Sequence, residues 1–220
     1  VAAELGALGL EVQTGIGKTG VVGILEGAQD GMTVLVRCDM DALPIPEANE
    51  TDYISQTAGK MHACGHDGHT AIGLGVAKLL AAHRDQLAGR VKFVFQPAEE
   101  IAAGAYAMIN DGVLEAPVPQ VALGLHLWNN VPVGTVSVTE GAAMASANDF
   151  TITVRGRGGH GALPDETRDP LLAAAQIITA LQSIVSRNVS GMDTAVLSVC
   201  NIRGGDANNV IPAEVMLGGT

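Results

Sequence analysis

The run Thr-Val-Leu-Val-Arg-Cys at residues 33–38 is rich in β-branched and apolar side chains and predicts a buried strand. Similar runs at 20–25 and 91–95 predict two more strands, and a helix is predicted from about His69 to His83. The apolar run at 121–127 predicts a further strand. Short strands that alternate with helices favour the α/β class, here a mostly parallel sheet flanked by helices.

Three of these predicted strands lead into side chains that could bind a metal or move a proton. Asp39 and Asp41 follow the first, Glu99 and Glu100 follow another, and His126 lies near the end of the last. In open α/β sheets, ligands gather at the carboxyl ends of the strands. We therefore expect these side chains to meet at one edge of the sheet.

The pattern changes near residue 144, where we place the boundary between two domains, 1–143 and 144–220. In the second domain a long helix is predicted, with Asp169 as a good N-cap and Pro170 at the first helical position. Strands are predicted at 150–155, 195–203 and 215–218. This order of strand, helix, strand and strand suits a small α/β sandwich.

The composition argues against several classes of partner. Against 12 Lys and Arg there are 23 Asp and Glu, a formal net charge of -11, which is the wrong sign for binding nucleic acid or an anionic membrane. No apolar run is long enough to cross a bilayer, and the N-terminus lacks the pattern of a secretory signal. Three scattered cysteines favour a reducing compartment, so we expect a cytoplasmic protein. Because the chain opens on Val1 and stops at Thr220, we also expect it to be a fragment.

The segment 61–69, Met-His-Ala-Cys-Gly-His-Asp-Gly-His, packs a thiol, three imidazoles and a carboxylate into nine positions. Cys64 and His66 are two residues apart and cannot share a helix face, so we expect them in the loop before the helix, where Gly65 frees the backbone to turn. A thiolate and an imidazole suit zinc or another late divalent metal. The alternative is a buried cysteine beside histidines that cap a helix, but the density of ligand groups favours a metal site.

Two adjacent carboxylates, Glu99 and Glu100, follow Pro97, which ends the preceding strand. One could bind a metal while the other takes a proton from water that the cation acidifies. The alternative is the acidic first turn of a helix. Asp39 and Asp41 precede a proline-rich turn, where Asp is common for structural reasons, although one of them could orient a ligand histidine.

Two histidines outside these acidic and cysteine-containing segments allow two interpretations each. His126 lies in an otherwise apolar strand, where a histidine is more commonly held by a backbone carbonyl in the core than used as a ligand. His160 lies in the glycine-rich loop 156–161, where it can reach a ligand or simply be solvated.

Taken together, these segments resemble a known family, the amidohydrolase branch of the zinc aminoacylase and carboxypeptidase superfamily, which includes hippurate hydrolase, auxin-conjugate hydrolases and N-acetyldiaminopimelate deacetylase. The matching stretches follow the family's order over nearly the whole chain. They are Arg37 to Pro44, Met61 to His69, Phe95 to Glu100, Gly124 to His126, Gly158 to Ala162 and Asn209 to Pro212. Such a set is far more specific than any single motif.

The resemblance implies a site for one or two divalent ions, and Zn, Mn, Co and Ni all suit the ligand set. The implied ligands are Cys64, His66, Glu100 and His126. Glu99 would be the general base, and Asp41 would be a supporting carboxylate outside the ligand set. A last ligand histidine of the family would lie beyond Thr220.

The resemblance also implies that the second domain is a lid and the dimerisation surface of a homodimer. There His160 would contact the substrate and help to hold the developing oxyanion, and Asn209 would help to recognise the substrate carboxylate. The implied reaction is hydrolysis of the amide bond of a small N-acyl amino acid, which yields a carboxylic acid and a free amino acid.

Other functions are left open by the sequence. The chain could be a dipeptidase or carboxypeptidase of the same superfamily, or a metal-binding protein without catalytic activity. Catalysis could also use Cys64 as a nucleophile, activated by His66 or His69.

Overall fold

The computed structural model describes residues 1–220, and the chain folds into two compact units, Val1–Thr135 and Val136–Thr220. The predicted domain boundary near residue 144 lies in a segment, 125–149, that contains no helix or strand, and it stays a prediction. No helix of the structure has the length and apolar character needed to cross a bilayer.

The first unit is built around a five-stranded sheet in the order β1-β2-β4-β3-β5. Its strands are β1 (Glu11–Ile16), β2 (Gly20–Glu26), β3 (Gln29–Asp39), β4 (Ala88–Gln96) and β5 (Val121–Gly124). Its helices are α1 (Ala2–Ala7), α2 (His66–Ala82) and α3 (Gly104–Asn110), with a 3-10 turn at Arg84–Gln86. β3 pairs in parallel with β4 and β5, whereas β2 is antiparallel to both β1 and β4. The predicted α/β class is confirmed, and the sheet is mixed because the β1–β2 hairpin joins it in the antiparallel sense.

Both faces of β4 are buried, as expected for a central strand. Phe93 and Phe95 face a core formed with α1 and α2, and Val94 faces a second core formed with α3. α2 approaches the sheet closely at Gly73, where any Cβ would collide with the Sγ of Cys38. This close packing fixes the first turns of α2 beside the carboxyl end of β3.

Two predicted boundaries in this unit are corrected by the structure. α2 begins at His66 rather than His69, because Gly65, at a φ of 82°, turns the chain from the loop directly into the helix. β5 ends at Gly124 rather than Leu127, because the backbone N–H of Leu127 is bound by a side chain and not by a neighbouring strand. His126 therefore lies beyond the strand in which the sequence placed it.

The second unit has a three-stranded antiparallel sheet in the order β6-β10-β8, packed against α4. Its elements are β6 (Phe150–Arg155), β7 (Gly159–His160), α4 (Pro170–Ser183), β8 (Val199–Arg203), β9 (Val210–Ile211) and β10 (Glu214–Gly219), with a 3-10 turn at Pro164–Glu166 and a π-helical turn at Ile184–Asn188. Asp169 caps α4 as predicted, since its carboxylate accepts the backbone N–H groups of Leu171 and Leu172 at 2.8 and 3.2 Å. The strand predicted at 195–203 begins at Val199. The small core is formed by Ala174, Val215 and Leu217.

Candidate metal centre

The loops that follow β3, β4 and β5 meet at one edge of the first sheet, because β3 lies between β4 and β5 and runs parallel to both. Together with the start of α2, they form three overlapping groups of candidate metal ligands, each with its ligand atoms within 4.8 Å of one another. The groups are Cys64, His66 and His126; His66, Glu99 and Glu100; and Asp39, His66 and His69. His66 belongs to all three groups.

His66 is fully buried, and the backbone orients its ring. Nδ1 lies 3.0 Å from the carbonyl oxygen of Asp41, which can only accept a hydrogen bond, so Nδ1 carries the proton. The lone pair is then on Nε2, which is buried without a hydrogen-bond partner. Carboxylate oxygens of Asp39, Glu99 and Glu100 lie 3.5, 3.7 and 3.9 Å from that nitrogen. A buried nitrogen without a partner is unfavourable by itself, and a cation would satisfy it together with the carboxylates of Glu99 and Glu100.

His126 is oriented in the same way. Its Nδ1 lies 2.6 Å from the carbonyl oxygen of Leu127, so Nδ1 carries the proton and Nε2 keeps the lone pair. That Nε2 lies 3.4 Å from the Sγ of Cys64. Tetrahedral zinc, with bonds of about 2.3 Å to sulfur and about 2.0 Å to nitrogen, places two such donors about 3.5 Å apart. The separation of these two side chains therefore fits one shared ion.

The turn that carries Glu99 and Glu100 is held by an unusual backbone. Ala98 and Ala102, on either side of the pair, both have a φ of 51°, a left-handed conformation that costs an L-residue about 1–3 kcal/mol. Gly104 closes the turn, and any Cβ at that position would collide with the carbonyl oxygen of Pro97. Backbone N–H groups of residues 103 and 104 bind the carbonyl of Ala98 at 3.2 and 3.0 Å. The strained turn thus carries the carboxylates of Glu99 and Glu100, which both lie near the Nε2 of His66.

Asp41 connects that turn to His66. Its Oδ2 accepts the backbone N–H of Glu100 at 3.1 Å, and its Oδ1 lies 3.3 Å from the Nδ1 of His66. Burial by itself would raise the pKa of Asp41, but hydrogen bonds from the backbone N–H groups of Glu100 and Glu99 outweigh burial and lower the pKa. Asp41 is therefore a carboxylate at neutral pH, and it ties the acidic turn to the buried histidine.

The electrostatics around Cys64 do not favour a nucleophile. Burial raises the pKa of the Cys64 thiol, and the carboxylates of Glu100 and Glu99 raise it further. A nucleophilic cysteine needs a lowered pKa. The imidazole in contact with the sulfur is that of His126, and not that of either histidine expected to activate it. A cation at this position would reverse the effect of the carboxylates and hold the sulfur as a thiolate.

From the sequence alone, the roles of two buried residues at this edge, Asp39 and His69, stay open. Each is 1% exposed, and the Nδ1 of His69 lies 2.6 Å from the Oδ1 of Asp39. Arg37 binds the other oxygen of Asp39 at 2.7 Å, and the Nε2 of His69 accepts the backbone N–H of Leu127 at 2.8 Å. The available signal was the three-residue spacing of His66 and His69, which places both on one side of a helix that starts at His66.

The two candidate residues of the second unit lie side by side. His160 is in β7 and pairs with Val210 of β9, which Asn209 immediately precedes. The N–H of Ala162 donates to the Nδ1 of His160 at 3.1 Å, so the ring carries its proton on Nε2. Both side chains are exposed. His160 thus presents an N–H donor to its surroundings.

Residues 35–218 match the model of the peptidase family M20/M25/M40. The chain belongs to this family. The matched range contains every residue of the candidate metal centre and both candidate residues of the second unit. The resemblance to the aminoacylase and carboxypeptidase superfamily that the motifs indicated is confirmed.

Matches to relatives of known name cover 92–100% of this chain but only about half of each relative. The N-acetylcysteine deacetylase of Bacillus subtilis is 46% identical over 203 residues, which are 92% of this chain and 53% of that protein. The IAA-amino acid hydrolase ILR1-like 5 of Arabidopsis thaliana is 46% identical over 220 residues, which are 100% of this chain and 50% of that protein. A dinuclear metal-binding peptidase of the M20 family from Bacillus subtilis has a similar structure, with a TM-score of 0.74 at 39% identity over 99% of this chain and 55% of that chain. The chain spans about half the length of the curated relatives it matches.

Proposed function

We propose that the complete protein is a divalent-metal-dependent hydrolase that cleaves the amide bond of small N-acyl amino acids. The observation that carries the proposal is the buried Nε2 of His66, which lacks a hydrogen-bond partner and faces three carboxylates. Membership of the M20 family supports a hydrolase. The substrate class is supported by relatives named for the deacetylation of N-acetylcysteine and for the hydrolysis of IAA-amino acids.

We infer that one or two divalent ions are held by Cys64, His66, Glu100 and His126. This donor set fits a metal, since two imidazoles whose Nδ1 atoms face backbone carbonyls can offer Nε2 lone pairs beside a thiol and a carboxylate. When bound, such an ion polarises an amide carbonyl and lowers the pKa of water. Zn, Mn, Co and Ni all accept a mixed set of nitrogen, sulfur and oxygen donors.

Glu99 is the proposed general base. Its side chain is 39% exposed and borders the ligand cluster, so water and substrate can reach it, whereas the side chain of Glu100 is 24% exposed and its backbone N–H is held by Asp41. Glu99 would take a proton from the attacking water and later give it to the departing amine nitrogen. Asp41 would act without touching substrate, by holding Glu100 and His66 in their relative positions.

His160 and Asn209 are the proposed contributions of the second unit. The free Nε2–H of His160 would donate to the oxyanion that develops on the substrate carbonyl. The exposed amide of Asn209, beside it on the ribbon, would bind the substrate carboxylate.

We also propose that residues 144–220 form a lid and the dimerisation surface of a homodimer. The sheet of the second unit ends in two edge strands, β6 and β8, that offer unpaired backbone groups. Ile202 on β8 and Leu172 on α4 are 51% and 62% exposed, so apolar surface accompanies those edges. Light scattering of the complete protein tests this proposal, and a strict monomer at micromolar concentration with full activity would contradict it.

Cleavage of dipeptides, by a dipeptidase or carboxypeptidase activity, is the second candidate function. It is favoured by the structural relative with a TM-score of 0.74, which is named a peptidase. The same metal ligands and the same base would serve both reactions, which differ in the group on the acyl side of the amide.

A substrate panel separates the two candidates. The complete encoded protein, loaded with zinc or manganese, is assayed for amino acid release from N-acetyl, N-benzoyl and indole-acetyl amino acids and from a set of dipeptides. We expect turnover of N-acyl amino acids that is lost with a chelator and restored by metal. Faster turnover of dipeptides would favour the second candidate, and turnover that survives complete metal removal would contradict both.

A further inference from the structure

We propose that Asp39 and His69 form a positioning pair that holds the metal ligand His126 in place through the peptide group of Leu127. The proposal rests on the proposed metal site, because it takes His126 as a ligand, but it does not depend on the reaction or on the substrate. It assigns His69 as a positioning residue rather than a catalytic one.

The hydrogen bonds of His69 define its protonation state. The backbone N–H of Leu127 can only donate, so the Nε2 that lies 2.8 Å from it is an acceptor without a proton. The proton is therefore on Nδ1, which donates to the Oδ1 of Asp39 at 2.6 Å. Both ring nitrogens are occupied, so His69 has no lone pair left for a metal although it lies among the ligand groups.

Asp39 is a fixed anchor for this contact. It ends β3 and is 1% exposed, and its second oxygen is bound by Arg37 at 2.7 Å. Arg37 also donates to the side chain of Gln96, the last residue of β4, at 2.8 Å. The pair is therefore tied to the ends of two strands in the middle of the sheet.

The peptide group of Leu127 connects His69 to His126 through two hydrogen bonds. Its N–H is held by His69, and its carbonyl oxygen accepts the Nδ1–H of His126 at 2.6 Å. The Leu127 side chain lies against the first turn of α2, where a Cβ on Gly65 would be 3.5 Å away and a Cβ on Gly68 would collide with it. The ring of His126 is thereby directed so that its Nε2 lies 3.4 Å from the Sγ of Cys64.

The segment that carries His126 needs such support because it has left the sheet. The last residue of β5 that pairs with β3 is Gly124. Beyond it, the His69 contact takes the place of a ladder hydrogen bond for Leu127. A ligand histidine on a segment without that contact would have to be ordered by the metal itself, which lowers the affinity for metal.

Two substitutions at position 69 separate the two hydrogen bonds of the ring. In His69→Asn the side-chain amide can occupy the place of Nδ1 and donate to Asp39, but nothing reaches the N–H of Leu127. In His69→Gln the longer side chain can bring its carbonyl oxygen to the place of Nε2 and accept that N–H, while Asp39 loses its donor. The same two changes at His83, the C-cap of α2, are the matched controls.

The experiment uses the complete encoded protein and reads out zinc affinity by competition with a chelating dye, and amide hydrogen exchange of segment 121–130 in the metal-free state. We expect His69→Asn to lower zinc affinity by about 10- to 100-fold and to speed the exchange of the Leu127 amide. His69→Gln should stay close to the unmodified protein in both measurements, although its melting temperature falls because a buried carboxylate has lost a donor. The His83 variants should change neither measurement.

The proposal is overturned if His69→Asn leaves zinc affinity and Leu127 exchange unchanged. It is also overturned if both variants lose zinc affinity in proportion to their loss of melting temperature, which is the result of a purely structural role. Should either variant fail to fold, the unmodified protein labelled with ¹⁵N-histidine decides the matter, because a His69 ring protonated on Nε2 contradicts the proposed contacts. A protein that shows the expected affinity pattern but hydrolyses no N-acyl amino acid would refute the proposed function and leave the positioning pair intact.

Discussion

His66 and His126 of the first unit differ from His160 of the second unit in whether Nε2 presents a lone pair or a proton. His66 and His126 each donate Nδ1–H to a backbone carbonyl, so each keeps a lone pair on Nε2. His160 instead accepts the backbone N–H of Ala162 at Nδ1, so its Nε2 carries a proton. A lone pair binds a cation, whereas an N–H group binds an anion. The backbone group that is hydrogen-bonded to Nδ1 therefore decides whether Nε2 can bind a metal or donate to an oxyanion.

The two regions also differ in how firmly they are held. His66 is buried, and the acidic groups around it are fixed by Asp41 and by a strained turn. His160 and Asn209 are exposed on a short ribbon. We therefore expect changes at the proposed metal ligands to alter metal binding, and changes on the ribbon to alter turnover alone.

The largest expected effect comes from Glu99→Gln, which keeps the size of the side chain and removes the proposed general base. Turnover should fall by about 100- to 10,000-fold, while metal content stays near that of the unmodified protein, because Glu99 is not a proposed ligand. The measurements are kcat and metal content by mass spectrometry. Glu11→Gln is the control and should change neither quantity. Glu11 lies on β1, the edge strand at the other end of the strand order from β5. Loss of metal from Glu99→Gln would make Glu99 a ligand.

His160→Ala tests the proposed role of the second unit as the source of an oxyanion donor. Loss of one oxyanion donor should lower kcat by about 100- to 1,000-fold, and zinc affinity should not change. His160→Gln, which can return an N–H near the position of Nε2, should recover part of the loss. The comparison between the two units fails if His160→Ala weakens zinc binding and spares kcat.

Glu100→Gln should weaken metal binding, because a neutral amide replaces the charged carboxylate of a proposed ligand. We expect a loss of affinity at least as large as the about 10- to 100-fold typical of supporting residues, measured by competition with a chelating dye. Glu99→Gln serves as the matched variant, since it makes the same chemical change one residue away. A Glu100→Gln protein with full metal content and full turnover would show that the roles of the two carboxylates are wrongly assigned.

The sequence predicts the candidate site better than the contacts that hold it. Asp39, Glu99 and His126 were expected at one edge because parallel strands that are neighbours share their carboxyl ends, and that reasoning needs residue types alone. The contact between His69 and Leu127 joins positions 58 residues apart through a backbone N–H, which every residue except proline carries. The protonated nitrogen of each ring likewise depends on which backbone group it meets. The chemistry of the side chains can thus be predicted from the sequence, whereas the way in which the backbone orients each side chain is known only from the fold.

The smallest expected effect is on the alkylation of the cysteines by iodoacetamide. Cys64 is partly exposed, Cys200 is exposed, and Cys38 is 3% exposed. Burial, with Asp39 beside it, raises the pKa of Cys38 to about 11, so Cys38 should stay unmodified in every condition. Cys200 is not among the proposed ligands, so zinc should not alter its rate of modification.

Cys64 should respond to zinc because a sulfur bound to the ion cannot attack iodoacetamide. With zinc present we expect no modification of Cys64, and with a chelator a slow modification, because burial and the carboxylates of Glu100 and Glu99 raise the pKa of the free thiol. Higher pH should speed the chelated reaction, since more thiolate forms as the pH approaches the raised pKa. Peptide mass spectrometry at timed intervals measures each cysteine separately, with Cys200 as the internal reference. If Cys64 instead reacts fastest while zinc is bound, the sulfur is a nucleophile, and the pairing of Cys64 with His126 is not a metal site.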